Sequence, residues 1–162
     1  MAKIALDEAT RLRVAWEQHH ERLWRSLLAW SNDREIASDS VAEAFAQAAR
    51  RGDETRDVGA WVWRAAFRIA AGQLQQARRS LPLTAARLPP VVDPNGAVPD
   101  LVTLLDGLAA LHADDRQLVV LALVGGWERA AIADLMGITP GAARVRLHRA
   151  LALLRASMED DS

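Results

Sequence analysis

The sequence predicts an all-α protein: two small helical domains joined by a proline-rich linker. Three observations carry this. Apolar residues recur at helical spacing along Ala-, Leu- and Arg-rich stretches with few β-branched runs, and no two segments read as a strand pair. Five of the six prolines (Pro82, Pro89, Pro90, Pro94, Pro99) fall in SLPLTAARLPPVVDPNGAVPD, residues 80–100. Residues 137–151, GITPGAARVRLHRAL, have the grammar of a short turn opening a helix. The predicted division is residues 1–79, a linker over 80–100 that is partly polyproline-like, and residues 101–162.

The first part reads as three long helices. The first runs from about Asp7 to Trp30, with Val14, Leu23, Leu27, Trp16 and Trp24 near helical spacing. The second runs from about Asp33 to Arg50. A polar loop, RGDETRD, leads to the third, about Val58 to Arg79. The second part reads as four shorter helices, about 100–111, 114–124, 128–136 and 140–157, with Asp100 and Asp114 as candidate N-caps. QLVVLALV, residues 117–124, is apolar nearly all round and is expected at the centre of its domain.

Composition narrows the function classes. The chain has 162 residues, 51% apolar and 25% charged, as soluble globular proteins have. No apolar run reaches the roughly 18 residues of a membrane span, and no signal-peptide pattern opens the chain, so a cytoplasmic protein without membrane insertion is expected. Without Cys there is no disulfide and no thiolate metal site. The four His include no HxxxH or HExxH spacing, so no metal, cofactor, small-molecule substrate or catalytic residue is expected and an enzyme is disfavoured. Formal net charge is -1, but its distribution is uneven. Residues 140–155 hold Arg144, Arg146, Arg149 and Arg155 with no acid, and residues 59–79 hold Arg64, Arg68, Arg78 and Arg79 with no acid. Two local basic helices in an acidic body matter more to a polyanion than the total.

The candidate sites follow from helical wheels. In residues 140–157, Ala143, Leu147, Ala150, Leu151 and Leu154 make the core stripe. Arg144, His148 and Arg155 flank it, and Arg146 and Arg149 lie outward. Before them Gly137 is the expected left-handed stop, Ile138 fills the corner, and Thr139 caps a helix whose first residue is Pro140. Gly141 and Ala142 are small enough for close backbone approach to phosphate. This is the pattern of a helix-turn-helix whose second helix enters the major groove. In 58–79, Val62, Ala66, Phe67, Ile69, Ala70 and Leu74 share an apolar face with Trp63 at its edge, while Trp61 lies opposite with Arg64, Arg68 and Arg79. Trp61 reads equally as a platform for unstacked bases or as a ring tucked under its neighbour. In the second helix Asp39, Ser40, Glu43 and Gln47 share a polar face, which by itself is a solvated face.

Taken in order, NDREIASDSVAEAFAQAARR, GAWVWRAAFRIAAGQ and GWERAAIADLMGITPGAARVRLHRALALLR resemble the segments of small two-domain bacterial RNA polymerase sigma factors of the extracytoplasmic-function type. The resemblance implies a specificity subunit that directs core RNA polymerase to promoter DNA and helps open it. It gives the acidic face of Asp39, Glu43 and Gln47 a partner in the polymerase clamp. It assigns Trp61 and Arg64, with Arg68, Arg78 and Arg79, to the −10 element. The loop 52–57 falls where such proteins capture a flipped base. Thr139, Gly141, Ala142, Arg144, Arg146, His148 and Arg149 fall on the −35 recognition helix. The sequence departs from the family pattern at Ala42, Gln47, Arg68, Gly72 and Ala142, and its QLQQARR is less basic than most −10 helices. A 21-residue linker reaches at most roughly 70 Å, enough for about two duplex turns of roughly 68 Å, while a flexible coil of that length averages nearer 25 Å. Free in solution the two domains can fold together and hide both DNA faces, a natural place for an anti-sigma partner to clamp them. The alternatives are a stand-alone helix-turn-helix regulator and a sigma-like module that binds only proteins.

Overall fold

The computed structural model describes the backbone of residues 2–52, 56–80 and 99–160, and the side chains of 7–52, 56–80 and 103–160. Residues 53–55 of the 52–57 loop and residues 81–98 of the linker expected over 80–100 lie outside the described residues. Seven helices and no strand occur among the described residues: α1 (Ala2–Ser31), α2 (Arg34–Arg51), α3 (Val58–Ser80), α4 (Pro99–Ala110), α5 (Ala113–Leu123), α6 (Arg129–Met136) and α7 (Pro140–Asp160).

The first three pack as a bundle. Leu23, Leu27 and Trp30 of α1 meet the Ala-rich inner faces of α2 (Ala37, Val41, Ala44, Phe45, Ala48) and α3 (Val62, Trp63, Ala66, Phe67, Ala70). Alanines on both facing helices let the axes come close, and the large rings fill what remains. The α1–α2 turn is tight. Asn32 takes a left-handed φ of 53°, which Asn tolerates, and Asp33 Oδ1 accepts the Ile36 N–H at 3.0 Å. Asp57 caps α3 in the same way, accepting the Ala60 N–H at 3.0 Å. Trp63, placed at the edge of the stripe by sequence, is in fact the largest fully buried side chain described. Val14 and Trp16, counted with the apolar stripe of α1, are each 41% exposed instead. Trp16 lies flat on His20 and touches Phe45 edge-on.

Helices α4 to α7 gather around Leu118, Val119, Val120 and Leu121, the centre of the apolar run singled out by sequence. Ile132, Ala133 and Leu135 of α6 and Ala143, Leu147, Ala150 and Leu154 of α7 close over it. Leu123, in the same run, is 59% exposed, because α5 ends there and turns out to solvent. The cap of α5 differs from expectation. His112 is the N-cap and its Nδ1 accepts the Asp114 N–H at 3.4 Å, so Asp114 sits in the first turn, where a carboxylate favours the helix dipole. Asp100 is likewise the second residue of α4 rather than its cap.

The two groups of helices share one continuous core. Trp30 Nε1 donates to the Ala113 carbonyl at 3.1 Å, and the Arg116 guanidinium lies 5.4 Å from the Trp30 ring centroid. Trp127, in the α5–α6 turn, meets Trp63 edge-on at 5.4 Å and lies parallel to His19 at 6.0 Å. The α1–α3 contact beneath this seam depends on Gly59. A Cβ there would stand 2.5 Å from His19 Nε2. Gly59→Ala should therefore overpack the α1–α3 contact and lower stability by about 1–3 kcal/mol, read as an earlier denaturant midpoint with an unchanged slope.

Candidate nucleic-acid interface

The helix-turn-helix is built as its residues dictate. Gly137 adopts φ 66°, ψ 34°, a conformation in which any other L-residue except Asn or Asp would be strained. Its N–H and that of Ile138 return to the carbonyls of Asp134 (3.3 Å) and Ala133 (3.0 Å), which closes α6. Ile138 packs half-buried against the core, and Thr139 Oγ1 accepts the Ala142 N–H at 3.1 Å, which starts α7 with Pro140 as its first residue.

Along α7, Ala143, Leu147, Ala150 and Leu154 of the apolar stripe are buried and Leu151 is half-buried, while Arg144, His148 and Arg149 are exposed. Nothing lies within 4 Å of a Cβ built at Gly141, so the start of the helix is open to a partner; Ala142 is half-buried. Arg144, His148 and Arg149, with Arg129 of α6, rim a groove of about 590 Å³ floored by Val145, Leu147 and Leu151. Arg146 departs from the outward position expected of it. It turns back onto α5, where its Nη2 and Nε donate to Asp115 Oδ1 at 3.1 and 3.3 Å, and its side chain is 34% exposed.

On α3, Arg64, Arg68, Arg78 and Arg79 are all exposed, as the wheel indicates. Trp61 is half-buried, and the Arg51 guanidinium lies 5.4 Å from its ring centroid. Its surroundings match the second of the two readings left open by sequence, a ring partly tucked against the core with an arginine packed across it. Arg64 and Arg68 line a groove of about 270 Å³ with Asp114 and Arg146, so the seam brings α3 and the helix-turn-helix face to face. Arg116, buried at that seam, has its pKa lowered by burial and then by the field of Arg78.

On α2, Asp39 is exposed beside Asp33 and Glu35 in a shallow groove against Gln73 and Gln76. Glu43 Oε1 accepts from Gln47 Nε2 and Arg50 Nη2, each at 3.0 Å, and these bonds hold its carboxyl below the usual carboxylate range. Ser40, placed on the polar face by sequence, is fully buried. Sequence reasoning missed Asp115, Arg51 and Arg129. Asp115 lies 31 residues from Arg146 and Arg51 ends a different helix from Trp61, so no periodicity links either pair.

An all-α molecule that presents an arginine-edged helix-turn-helix beside a second basic helix is a DNA-directed transcription protein. Residues 101–154 match the family model of sigma-70 region 4. The ECF RNA polymerase sigma factor SigL of Mycobacterium tuberculosis is 30% identical over 174 residues, covering 96% of this chain and 93% of SigL. The RNA polymerase sigma factor CarQ of Myxococcus xanthus is 54% identical over 52 residues, 32% of this chain and 30% of CarQ. Among solved structures, CnrH in complex with the cytosolic domain of CnrY superposes with a TM-score of 0.75 at 20% identity, covering 99% of this chain and 96% of CnrH. RpoE in complex with the anti-sigma factor NepR from Bartonella quintana superposes with a TM-score of 0.66 at 18% identity over 100% of both chains. The chain belongs to the extracytoplasmic-function RNA polymerase sigma factors, the proteins that direct RNA polymerase to promoters for transcription initiation. No helix among the described residues is long and apolar enough to cross a membrane.

The Arg146–Asp115 pair is about one-third exposed at both ends, so its worth is modest. A double-mutant cycle of Asp115→Ala and Arg146→Ala on thermal unfolding should return a coupling of about 0.5–1 kcal/mol. A coupling of zero would mean that Arg146 is free to leave α5.

Proposed function

We propose that three surfaces divide the work of initiation. The exposed face of α2, with Asp39, Glu43 and Gln47, docks on core RNA polymerase. The outer face of α3, with Trp61, Arg64, Arg68, Arg78 and Arg79, holds the separated −10 strand by stacking and phosphate contacts. The start of α7, with Thr139, Gly141, Ala142, Arg144, His148 and Arg149, reads the −35 duplex in the major groove. Arg146 serves this last surface by bracing α7 against α5 through Asp115. Residues 1–79 and 101–162 act as separate units on the 80–100 linker once engaged.

The observation that carries this reading is the open start of α7, capped by Thr139 and edged by exposed Arg144, His148 and Arg149. Its chemistry is binding rather than catalysis, and its place of action is the cytoplasm, where polymerase and promoter are. A few phosphate contacts per helix give weak, salt-sensitive association, so polymerase must supply the further anchor and the effective concentration. The α3 arginines and the α6–α7 turn share one groove, so the seam must part before the two elements can be held two turns apart. An anti-sigma protein that grips both groups would keep it shut. RpoE, similar in structure, is in complex with the anti-sigma factor NepR, and we extend that partner class to this chain.

The deciding experiment mixes the protein with sigma-free core polymerase and genomic promoters and sequences the run-off transcripts. Specific starts are expected, and absence of both polymerase binding and transcripts would reject the reading. Arg144→Ala should cost roughly 1–3 kcal/mol of −35 binding and reduce transcription from a −35-dependent promoter accordingly. Trp61→Ala should leave polymerase binding intact but diminish permanganate reactivity of the −10 strand.

A further inference from the structure

The seam between the two helical groups converges on one imidazole. His19 of α1 accepts the Trp63 indole N–H on Nδ1 at 3.1 Å. The same ring lies within 5° of parallel to Trp127 of the α5–α6 turn, 6.0 Å between centroids, and Trp63 touches Trp127 edge-on. On its other side the ring is pressed against the backbone at Gly59. His19 is thus the point at which α1, α3 and the turn leading into the helix-turn-helix all meet.

This geometry fixes the protonation state. An indole nitrogen only donates, so Nδ1 must offer its lone pair, and the proton of a neutral ring sits on Nε2. Arg22 Nη2 stands 3.3 Å from the same Nδ1, a second donor directed at it. The charged groups acting on the ring are Arg22 from α1 and Asp57 from the segment before α3, while the α5–α6 turn contributes the uncharged Trp127. Burial first, then Arg22, lower the pKa of His19, and the opposing pull of Asp57 is smaller.

We propose that His19 is a pH-sensitive latch between the two helical groups. Neutral, it ties α1 and α3 to the α5–α6 turn. Protonated at Nδ1, it turns a donor toward the Trp63 N–H and the Arg22 guanidinium, and the Trp63–His19–Trp127 contact breaks. When the turn departs, water reaches the imidazole and the burial penalty disappears, so the open form binds the proton more tightly. The sign follows. With its pKa lowered in the closed form, His19 favours closure fully above the ordinary histidine value near 6.5. That preference falls as pH drops below it, by at most tenfold in the closed-to-open ratio per pH unit for one proton.

The device concerns the chain's own conformations, so its test is independent of promoter or polymerase. The chain has no Cys, which allows spin labels at two exposed positions, Glu17→Cys on α1 and Ala152→Cys on α7. Distance distributions between about pH 8 and about pH 5.5 should show the separated population rising severalfold. In His19→Asn, whose side-chain oxygen can accept the Trp63 N–H and does not titrate, the distribution should stay fixed. An unchanged distribution in the parent chain, or an equal response in His19→Asn, would overturn the proposal. If His19→Asn fails to fold by circular dichroism, the His19 imidazole is titrated by NMR in the parent chain. A depressed midpoint, shared by the Trp127 indole resonance, is expected. An ordinary midpoint with a stationary Trp127 signal sinks the latch.

Discussion

Trp63 is the side chain on which the rest of the molecule depends. It stacks on Phe67 within α3, its N–H reaches His19 on α1, and it meets Trp127 of the other half of the chain edge-on. Burial of so large a ring is favoured when its polar nitrogen is satisfied, and its acceptor here is an imidazole held against Gly59. The same contact that completes the first core therefore also fixes where the second group of helices can rest. Domain packing and bundle packing are not separate problems in this protein.

That coupling has an electrostatic consequence. Closure brings Arg64 and Arg68 of α3 into one groove with Arg146, and Arg78 into the neighbourhood of buried Arg116. Like charges gathered this way oppose closure, and Asp114 and Asp115 at the start of α5 offset them locally. The balance between apolar packing and cationic crowding leaves the seam held mainly by three tryptophans and a histidine. On the proposed division of work a formal net charge of -1 is no obstacle to promoter binding, because the arginines would act in two small groups with polymerase as the third contact.

Most of the fold could be read in advance. Helix positions came from apolar spacing, and the α6–α7 corner came from Gly137, Thr139 and Pro140, whose backbone preferences act within a few residues. The errors have the same origin. Asp114 looked like a cap because Asp commonly is one, yet His112, two residues earlier, was nearer the chain reversal and took the role. Val14 and Trp16 fit the period of α1, but periodicity alone does not say how much of that face a neighbouring helix covers, and each stays 41% exposed. Of the interface residues, those exposed on their own helix, such as Arg144, Arg149, Arg64 and Asp39, were legible from a wheel.

The sequence by itself determined the helices, the α6–α7 corner and the family, because each depends on residues close together in the chain or on a pattern of segments spanning it. Only the tertiary structure decided what those helices do to one another. It turned Arg146 inward onto Asp115, laid Arg51 over Trp61 and stacked His19 on Trp127. Each of these pairs joins different helices or turns. Which partner a side chain meets is set by how whole helices dock, and no local period carries that information.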